Sequence, residues 1–228
     1  MIFVDSTDEA ELSHGLSVPF VKGFTTNPTL FLRALGGECL SLPVYVSAAR
    51  KLVEFASSNT AARDVMIQGV GAPEQIVAQA LTYSNALRDG RGKNLWIKLA
   101  PTTEHLALCP ALASLRCKTM VTAVFTPLQV CAALESGADG VAIYLGRLMK
   151  SDESWERKME TIARLILPHE KMLLRASLSD VAKAEIALRY SEDMTVPFAV
   201  AEQLTSSAFS SEAMASFNAQ VKSDAGAA

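Results

Sequence analysis

The sequence has little of what would assign a chain at once to a redox, metal-binding or secreted class. Its 228 residues include four cysteines but no Cys-x-x-Cys pair. The three histidines are scattered and lie near no cluster of cysteines or carboxylates. Such isolated cysteines favour reduced, mostly buried thiols over disulfides or zinc ligation. We therefore expect no metal site and no other cofactor.

Long hydrophobic runs and basic stripes are absent as well. The chain carries 21 Lys and Arg against 24 Asp and Glu, a net charge of −3, which argues against a nucleic-acid partner. No apolar segment reaches the length needed to span a bilayer. The chain opens on strand-like residues rather than on a charged region followed by an apolar one, so we expect no signal peptide and a cytoplasmic location.

The sequence instead alternates short apolar runs with amphipathic stretches, and half of its residues are hydrophobic. Apolar runs of this length, bounded by turn residues, predict buried strands. The predicted strands are Ile2–Ser6, Val21–Thr26, Val65–Val70, Leu95–Ala100, Thr119–Val124, Val141–Leu145, Met172–Ser177 and Met194–Val196.

The intervening stretches predict helices. Pro28, Pro73 and Pro127 suit first helical turns, Ser179 suits an N-cap, and Gly90 and Gly137 suit left-handed helix ends. The predicted helices are Asp8–Leu16, Pro28–Leu35, Leu42–Ser57, Pro73–Arg88, Thr103–Leu115, Pro127–Ser136, Glu153–Leu167, Asp180–Tyr190, Phe198–Thr205 and Ser210–Val221.

Eight strands alternating with helices predict an α/β fold with parallel pairing through right-handed crossovers. We expect a single closed (β/α)8 barrel (TIM barrel) over residues 1–209, with an extra C-terminal helix and tail over 210–228. An open doubly wound sheet is the alternative, but no Gly-rich phosphate-binding turn follows the first strand.

Lys98 interrupts one of the apolar runs, Asn94 to Ala100. A buried lysine tends to lose its proton, and a neutral amine can form a Schiff base with a carbonyl. The alternative is a strand-end lysine whose ammonium reaches solvent.

Polar side chains occur at the end of nearly every predicted strand. The carboxyl ends of barrel strands form the active-site face of this fold, so we expect these side chains to converge. They are Asp5, Thr25, Asn27, Gln68, Lys98, Thr122, Tyr144 and Ser177.

The motifs at these strands resemble those of the transaldolase family and, within it, the short members that include fructose-6-phosphate aldolase. The similarity runs in order from about residue 2 to residue 204. The matching segments are Phe3–Ser6, Gly23–Leu30, Trp96–Ala100 with Thr102, Thr119–Phe125, Val141–Leu148, Ala176–Ser177 and Thr195–Pro197.

The resemblance implies a Schiff-base mechanism. Lys98 would form an imine with a ketose, and Asp5 would exchange the proton of the hydroxyl beside the breaking bond. Gln68, Thr122 and Tyr144 would hold a water that transfers protons between imine intermediates. Read alone, Asp5 could instead be a helix-terminal charge, Gln68 a plain polar strand end and Tyr144 a core aromatic.

Substrate binding is implied for four further side chains, namely Thr25, Asn27, Arg147 and Ser177. Asn27 and Thr25 would bind donor hydroxyls, although Asn before Pro is also ordinary turn chemistry. Arg147 and Ser177 would bind the phosphate of the aldehyde substrate.

Three positions depart from the family pattern. Relatives usually carry Lys or Arg two residues after the strand-seven serine, where this chain has Ser179. Arg175 replaces a small residue, and strand alternation from Ser177 predicts that it faces the barrel interior. There it could pair with Asp5, replace the missing cation or bind a different anion. His105 replaces a usual glycine and is expected on a helix surface.

These features favour a class I aldolase similar to fructose-6-phosphate aldolase, acting on a ketose or ketose phosphate. Gln68 and Tyr144 carry that choice, since transaldolases proper tend to have Glu and Phe there. The alternatives are a transaldolase that transfers a dihydroxyacetone unit between sugar phosphates, and a barrel that binds an altered anionic ligand without turnover. Short relatives assemble as pentamers or decamers, so the resemblance also implies a homo-oligomer in which the C-terminal helix contacts a neighbour.

Overall fold

In the computed structural model, which describes residues 1–87 and 92–220, eight parallel strands close into a barrel. Each strand pairs with the next in sequence, and the last pairs with the first. This confirms the predicted (β/α)8 barrel. The strands are β1 (Ile2–Asp5), β2 (Val21–Thr25), β3 (Asp64–Gln68), β4 (Asn94–Leu99), β5 (Lys118–Val124), β6 (Gly140–Ile143), β7 (Met172–Arg175) and β8 (Met194–Val196).

The helices surround the barrel, and residues Leu167–His169 add a short 3-10 turn. The helices are α1 (Glu9–Ser17), α2 (Pro28–Leu35), α3 (Leu42–Ser58), α4 (Pro73–Ala86), α5 (Thr103–Leu106), α6 (Cys109–Ser114), α7 (Pro127–Glu135), α8 (Leu145–Ser151), α9 (Trp155–Ile166), α10 (Val181–Ala187), α11 (Phe198–Ala201) and α12 (Ala208–Gln220).

Local chemistry fixes many of the helix ends. Pro28, Pro73 and Pro127 occupy first helical turns, as predicted, where no backbone hydrogen bond is lost. Gly137 has the expected left-handed backbone, with φ of +83°. The N-cap of α10 is Asp180 rather than Ser179, because the Asp180 carboxylate accepts the backbone N–H of Lys183.

Two helical regions differ from the sequence-based expectation. The stretch expected as one helix from Thr103 to Leu115 is divided into α5 and α6, because Pro110 cannot extend a helix from the preceding turn. Helix α8 was not expected, and it carries Arg147. The predicted end of α4 at Arg88, the left-handed end at Gly90 and the tail from residue 221 onward lie outside the described residues.

The core has two layers, as strand alternation requires. Inward-facing side chains form a compact cluster inside the barrel, and outward-facing ones pack against the helices. The inner cluster contains Phe3, Met66, Trp96, Met120, Ala142, Met172 and Leu174.

This inner cluster positions the site. Four members of the cluster each lie two residues before a predicted site residue, namely Phe3, Met66, Trp96 and Met120. Residues two apart on a strand share a face, so each of these site residues lies one layer nearer the carboxyl end of its strand. The apolar cluster therefore forms the floor beneath the polar residues. At the opposite end of the barrel, the indole N–H of Trp96 donates to Asp64 at 2.6 Å.

Helix α12 packs differently from the other helices. All of its residues are exposed, including Phe209, Met214 and Phe217, which are 84%, 55% and 58% accessible. These three large side chains leave apolar surface uncovered in the single chain.

Candidate active site

A cavity of about 490 Å³ opens at the carboxyl ends of the strands. Every site residue predicted from the sequence lines this cavity except Arg175. The predicted residues that line it are Asp5, Thr25, Asn27, Gln68, Lys98, Thr122, Tyr144, Arg147 and Ser177.

Lys98 lies on β4 with only 5% of its surface exposed. Its ammonium donates to the carbonyl oxygen of Thr26 at 2.7 Å, and no carboxylate among the described residues lies within ion-pair distance of it. Burial lowers the pKa of Lys98, while the negative charge of Asp5 acts to raise it. The alternative of a strand-end lysine whose ammonium reaches solvent does not apply, because the Lys98 side chain is buried.

Asp5 ends β1 and faces the same cavity. Burial raises the pKa of its carboxyl group, opposed by the charge of Lys98 and by a hydrogen bond from the Thr25 hydroxyl at 2.6 Å. The alternative role of a helix-terminal charge falls to Asp8 rather than to Asp5, because Asp8 caps α1 by accepting two backbone N–H groups. The Asp5 carboxyl group therefore lies in the cavity that contains Lys98.

Gln68 ends β3, and its amide group is tied to the backbone. The amide nitrogen donates to the carbonyl oxygens of Lys98 at 3.0 Å and Gly69 at 3.4 Å. The Tyr45 hydroxyl on α3 donates to the Gln68 carbonyl oxygen at 2.6 Å. This network fixes the orientation of Gln68, so its side-chain oxygen is the atom left to bind a ligand.

Thr122 is buried, and its hydroxyl has no hydrogen-bond partner within the described part of the chain. The adjacent Ala123 has a φ of +57°, and the pairing register between β5 and β6 shifts at this point. A left-handed non-glycine residue is strained, and such strain concentrates at functional sites. A buried hydroxyl without a partner also has a binding capacity that a ligand or water can satisfy.

Tyr144 and Arg147 line the wall formed by β6 and α8. The Arg147 guanidinium lies 5.0 Å from the centre of the Tyr144 ring, and Phe125 packs edge-on against that ring. Arg147 is exposed and makes no ion pair to any described carboxylate. Its charge is therefore available to an anion at the cavity mouth.

Ser177 follows β7 with a φ of +65° and faces the cavity. Gly146, in the first turn of α8, permits this arrangement because a Cβ there would lie 1.8 Å from the Ser177 carbonyl oxygen. The close approach holds Ser177 beside the helix that carries Arg147.

Asn27 caps a helix and also lines the cavity. Its side-chain oxygen accepts the backbone N–H of Leu30 at 3.1 Å, which caps α2, and the residue also lines the cavity. The cap fixes the side chain, and the amide N–H₂ group stays available to a ligand.

Arg175 is not part of the site, and its expected inward orientation is wrong. Strand β7 ends at Arg175, and the left-handed Ser177 breaks the alternation on which the prediction depended. The guanidinium is fully buried and donates to the carbonyl oxygens of Leu173 and Ser191. Burial lowers the pKa of Arg175 to about 10, while Asp193 acts to raise it.

Ser179 and His105 also lie outside the cavity lining. Ser179 bonds to Asp180 and accepts from Lys183, whose ammonium pairs with Asp180. His105 is half-buried, and its Nδ1 accepts the backbone N–H of Ala100 at 3.2 Å. The expectation of a plain surface histidine is therefore incomplete, because the ring anchors the turn after β4.

The cavity lining also includes polar residues that the sequence analysis did not assign to the site, among them Arg33 on α2 and Thr195 on β8. Strand alternation could have identified Thr195, because Met194 and Val196 on either side belong to the outer core layer. The position of Arg33 in the second turn of the helix after Asn27 was the available signal for it.

Within residues 1–87 and 92–220, no group of three or more His, Cys, Asp or Glu side chains could hold a metal ion. The four cysteines are free, with Cys109 and Cys117 buried and Cys39 exposed. No helix in the described part of the chain is long and apolar enough to cross a membrane.

The amino-acid sequence matches a known family. A family model described as "Transaldolase/Fructose-6-phosphate aldolase" matches residues 2–227. The chain belongs to the transaldolase/fructose-6-phosphate aldolase family. It is accordingly an enzyme of the aldolase or transaldolase kind.

Curated relatives in this family cover most of both chains. A "Probable transaldolase" of Thermoplasma volcanium is 25% identical over 206 residues, covering 89% of this chain and 86% of the relative. A "Probable transaldolase" of Maridesulfovibrio salexigens is 27% identical over 221 residues, covering 95% of each chain.

Solved structures of more distant proteins share the barrel. A crystal structure of 2,3-dimethylmalate lyase aligns with a TM-score of 0.64 at 14% identity, over 96% of this chain and 80% of that one. A phosphonopyruvate hydrolase complex with oxalate and Mg²⁺ gives 0.62 at 12% identity, over 98% and 87%. At these identities the similarity is one of fold.

Proposed function

We propose that the protein is a class I aldolase that cleaves a ketose or ketose phosphate and releases a dihydroxyacetone-type donor. The observation that carries this proposal is the enclosed Lys98 ammonium in the cavity, whose pKa burial lowers, facing Asp5, whose pKa burial raises. A pair of groups shifted in these directions suits an amine nucleophile and an acid–base partner near neutral pH.

The reaction follows from these two groups. The neutral Lys98 amine adds to the substrate ketone, and loss of water together with uptake of one proton from solvent gives a protonated imine. The Asp5 carboxylate then accepts the proton of the hydroxyl beside the scissile bond. The electrons of that O–H bond form the product aldehyde, and those of the broken carbon–carbon bond pass to the imine to give an enamine.

The remaining cavity residues support this chemistry in proposed roles. Gln68, Thr122 and Tyr144 would bind the water that moves protons to and from the imine nitrogen and enamine carbon. The unpartnered Thr122 hydroxyl and the fixed Gln68 amide suit such a water. Thr25 and Asn27 would contact the donor hydroxyls.

A phosphorylated aldehyde would bind at the wall opposite Asn27. Arg147 supplies the cation there and Ser177 a hydroxyl, since guanidinium groups suit phosphate oxygens. Arg33 on α2 is a second cation that lines the same cavity, on the side of Asn27. We further propose that the enzyme acts in the cytoplasm on sugar phosphates such as those of the pentose phosphate pathway.

Transaldolase activity is the second candidate, favoured by the relatives that are named probable transaldolases. The Gln68 and Tyr144 pair favours the aldolase instead, because a tyrosine hydroxyl adds a donor beside the water that phenylalanine lacks. An anion-binding barrel without turnover was suggested partly by an inward-facing Arg175, and the outward orientation removes that support.

Borohydride trapping tests the proposed chemistry. With dihydroxyacetone or fructose 6-phosphate, we expect one donor mass added at Lys98 and none in Lys98→Ala. Exposed Lys51 on α3 provides the internal control peptide. Failure of every ketone donor to label Lys98 would rule out the Schiff-base function.

The reaction type is tested by omitting the acceptor. Cleavage of fructose 6-phosphate alone identifies an aldolase, whereas a strict requirement for an acceptor such as erythrose 4-phosphate identifies a transaldolase. We expect Tyr144→Phe to shift the ratio of cleavage to transfer toward transfer, because the water loses a donor. An unchanged ratio would contradict the proposed water site.

A further inference from the structure

Three side chains on adjacent strands form a continuous hydrogen-bonded chain that ends at Asp5. The hydroxyl oxygens of Thr195 and Thr25 are 2.7 Å apart, and the Thr25 hydroxyl lies 2.6 Å from Oδ1 of Asp5. Thr25 is completely buried and Thr195 is 5% exposed, so solvent competes little for these bonds.

The strands fix this arrangement. Strand β1 lies between β2 and β8, and Asp5 is the ladder partner of Thr25. Thr195 projects inward from β8, because Met194 and Val196 beside it belong to the outer layer. All three groups are therefore held by the sheet rather than by loops.

The number of protons that each group can donate determines which group is the donor in each of these hydrogen bonds. An ionised carboxylate accepts hydrogen bonds but donates none, and a threonine hydroxyl has a single proton. Because Thr25 gives its proton to Asp5, the bond between the two hydroxyls requires Thr195 to be the donor.

We propose that Thr195 is a positioning residue for the aldol reaction. Its hydroxyl donates to Thr25, commits the Thr25 proton to Oδ1 of Asp5, and leaves Oδ2 as the oxygen that exchanges a proton with the substrate. This inference rests on the proposed function, in which Asp5 is the acid–base group.

The chain also affects the titration of Asp5. A hydroxyl that accepts a hydrogen bond becomes a stronger donor, so Thr195 strengthens the bond from Thr25 that favours the carboxylate. Other charged or titratable groups lining this cavity are Lys98 from β4, Arg33 from α2, and Tyr144 and Arg147 from the end of β6 and from α8. On the outer side of β1, Glu11 of α1 accepts from Ser6 at 2.5 Å.

The experiment compares Thr195→Val, which removes the hydroxyl at nearly constant shape, with Thr195→Ser, which keeps it. The pKa of Asp5 is measured by carbon NMR of carboxyl-labelled protein, with the signal assigned from Asp5→Asn. We expect the pKa to rise by roughly half a unit in Thr195→Val, as loss of one cooperative bond implies, and to stay at the wild-type value in Thr195→Ser.

Steady-state kinetics provide the functional readout. In Thr195→Val the acidic limb of the kcat/KM profile should move to higher pH, because Asp5 must be ionised to accept the substrate proton. We expect kcat to fall by about two- to tenfold, the effect of one neutral hydrogen bond, with donor KM little changed. Thr195→Ser should restore both quantities.

Thr119→Val is the matched control. Thr119 is also a buried strand threonine, but it lies at the amino end of β5, where its hydroxyl donates to Asp139. Unfolding curves of all variants show whether each one folds, and Thr119→Val should leave the Asp5 pKa unchanged.

Two results would overturn the inference. The first is an Asp5 pKa and acidic limb in Thr195→Val equal to those of the wild type. The second is equal impairment of Thr195→Ser and Thr195→Val, which would indicate packing rather than hydrogen bonding.

The NMR titration needs no substrate, so its outcome does not depend on the borohydride trapping experiment. Absence of Lys98 labelling in the wild type would refute the proposed function, and with it the reaction that Thr195 serves.

Discussion

At the scale of single residues, Lys98 and Asp5 influence each other's protonation in opposite senses. Burial lowers the pKa of Lys98, and the negative charge of Asp5 limits that decrease. Burial raises the pKa of Asp5, and the positive charge of Lys98 limits that increase. Removing either charge should therefore move the partner's pKa further from its value in water.

Reductive methylation with formaldehyde and cyanoborohydride measures this coupling, because only the neutral amine reacts. The rate at Lys98 should rise with pH around a midpoint below the value of about 10.4 for a free lysine. In Asp5→Asn the midpoint should move lower still, since the attraction that stabilised the ammonium is gone. Exposed Lys51 should titrate near the free value in both proteins. A midpoint that rises in Asp5→Asn would contradict the coupling.

The two arginines beside the seventh strand are expected to differ in function. Arg147→Met should raise the KM of a phosphorylated acceptor by about ten- to a hundredfold, the range for charged hydrogen bonds. Arg175→Met should leave that KM unchanged but lower the free energy of unfolding by about 1–3 kcal/mol, because the carbonyls of Leu173 and Ser191 lose their donor. Acceptor kinetics and urea unfolding measure the two effects. Equal KM increases in both variants would place Arg175 back in the site.

At the scale of secondary-structure elements, the approach of α8 to the end of β7 depends on Gly146. An alanine Cβ there would meet the Ser177 carbonyl oxygen at 1.8 Å, so backbone must move. We expect Gly146→Ala to lower the free energy of unfolding by about 1–3 kcal/mol, as overpacking does, and to weaken binding of the phosphorylated acceptor.

Gly37→Ala is the control for that change. Gly37 lies in a loop where the nearest atom would be 3.5 Å from the new Cβ, an ordinary contact. Denaturant unfolding should show little loss, or a gain of about 0.4–1 kcal/mol from the less flexible unfolded chain. Comparable losses at the two glycines would show that the close approach of α8 is not restrictive.

The sequence predicted the elements well where a local signal marks them. Apolar runs located all eight strands, and prolines at first turns marked several helices. The polar residues at the predicted strand ends were expected to converge, and they do line the cavity: Asp5, Thr25, Gln68, Lys98 and Thr122. Helix α8 was missed because only Tyr144 separates it from β6 and because Gly146 lowers helix propensity.

The errors at β7 have a different cause. Parity is a local rule, and it fails where the backbone turns through a left-handed residue such as Ser177. Nothing in the residues around Arg175 marks that turn, because serine is not a residue that favours this conformation. The hydrogen-bonded chain from Thr195 to Asp5 could likewise not be predicted from the sequence, since it joins strands separated by most of the sequence.

At the scale of the whole molecule, α12 is the α-helix of the described residues that buries none of its side chains. Its exposed Phe209, Met214 and Phe217 suit the proposed assembly, in which the C-terminal helix packs on a neighbouring subunit. The family resemblance predicts pentamers or decamers, five or ten times the chain mass of 24.4 kDa.

Sedimentation of the full chain and of a form ending at Ser207 tests this assembly. We expect the full chain to be a ring-sized oligomer and the truncated form to dissociate but remain folded, because α12 buries no residue in its own chain. Phe209→Ser with Phe217→Ser keeps the helix length and should dissociate in the same way. A full chain that sediments as a monomer would refute the proposal.

The tryptophan below Lys98 gives the molecule an internal optical reporter. The chain has two tryptophans, and they lie in different layers. Trp96 is enclosed in the barrel beneath the lysine, with the Lys118 ammonium 4.9 Å from its ring, whereas Trp155 packs on Tyr190 among the outer helices. With Trp155 replaced by Phe, the remaining emission should respond to opening of the barrel interior alone. Loss of the inner core could then be timed separately from fraying of the helical shell.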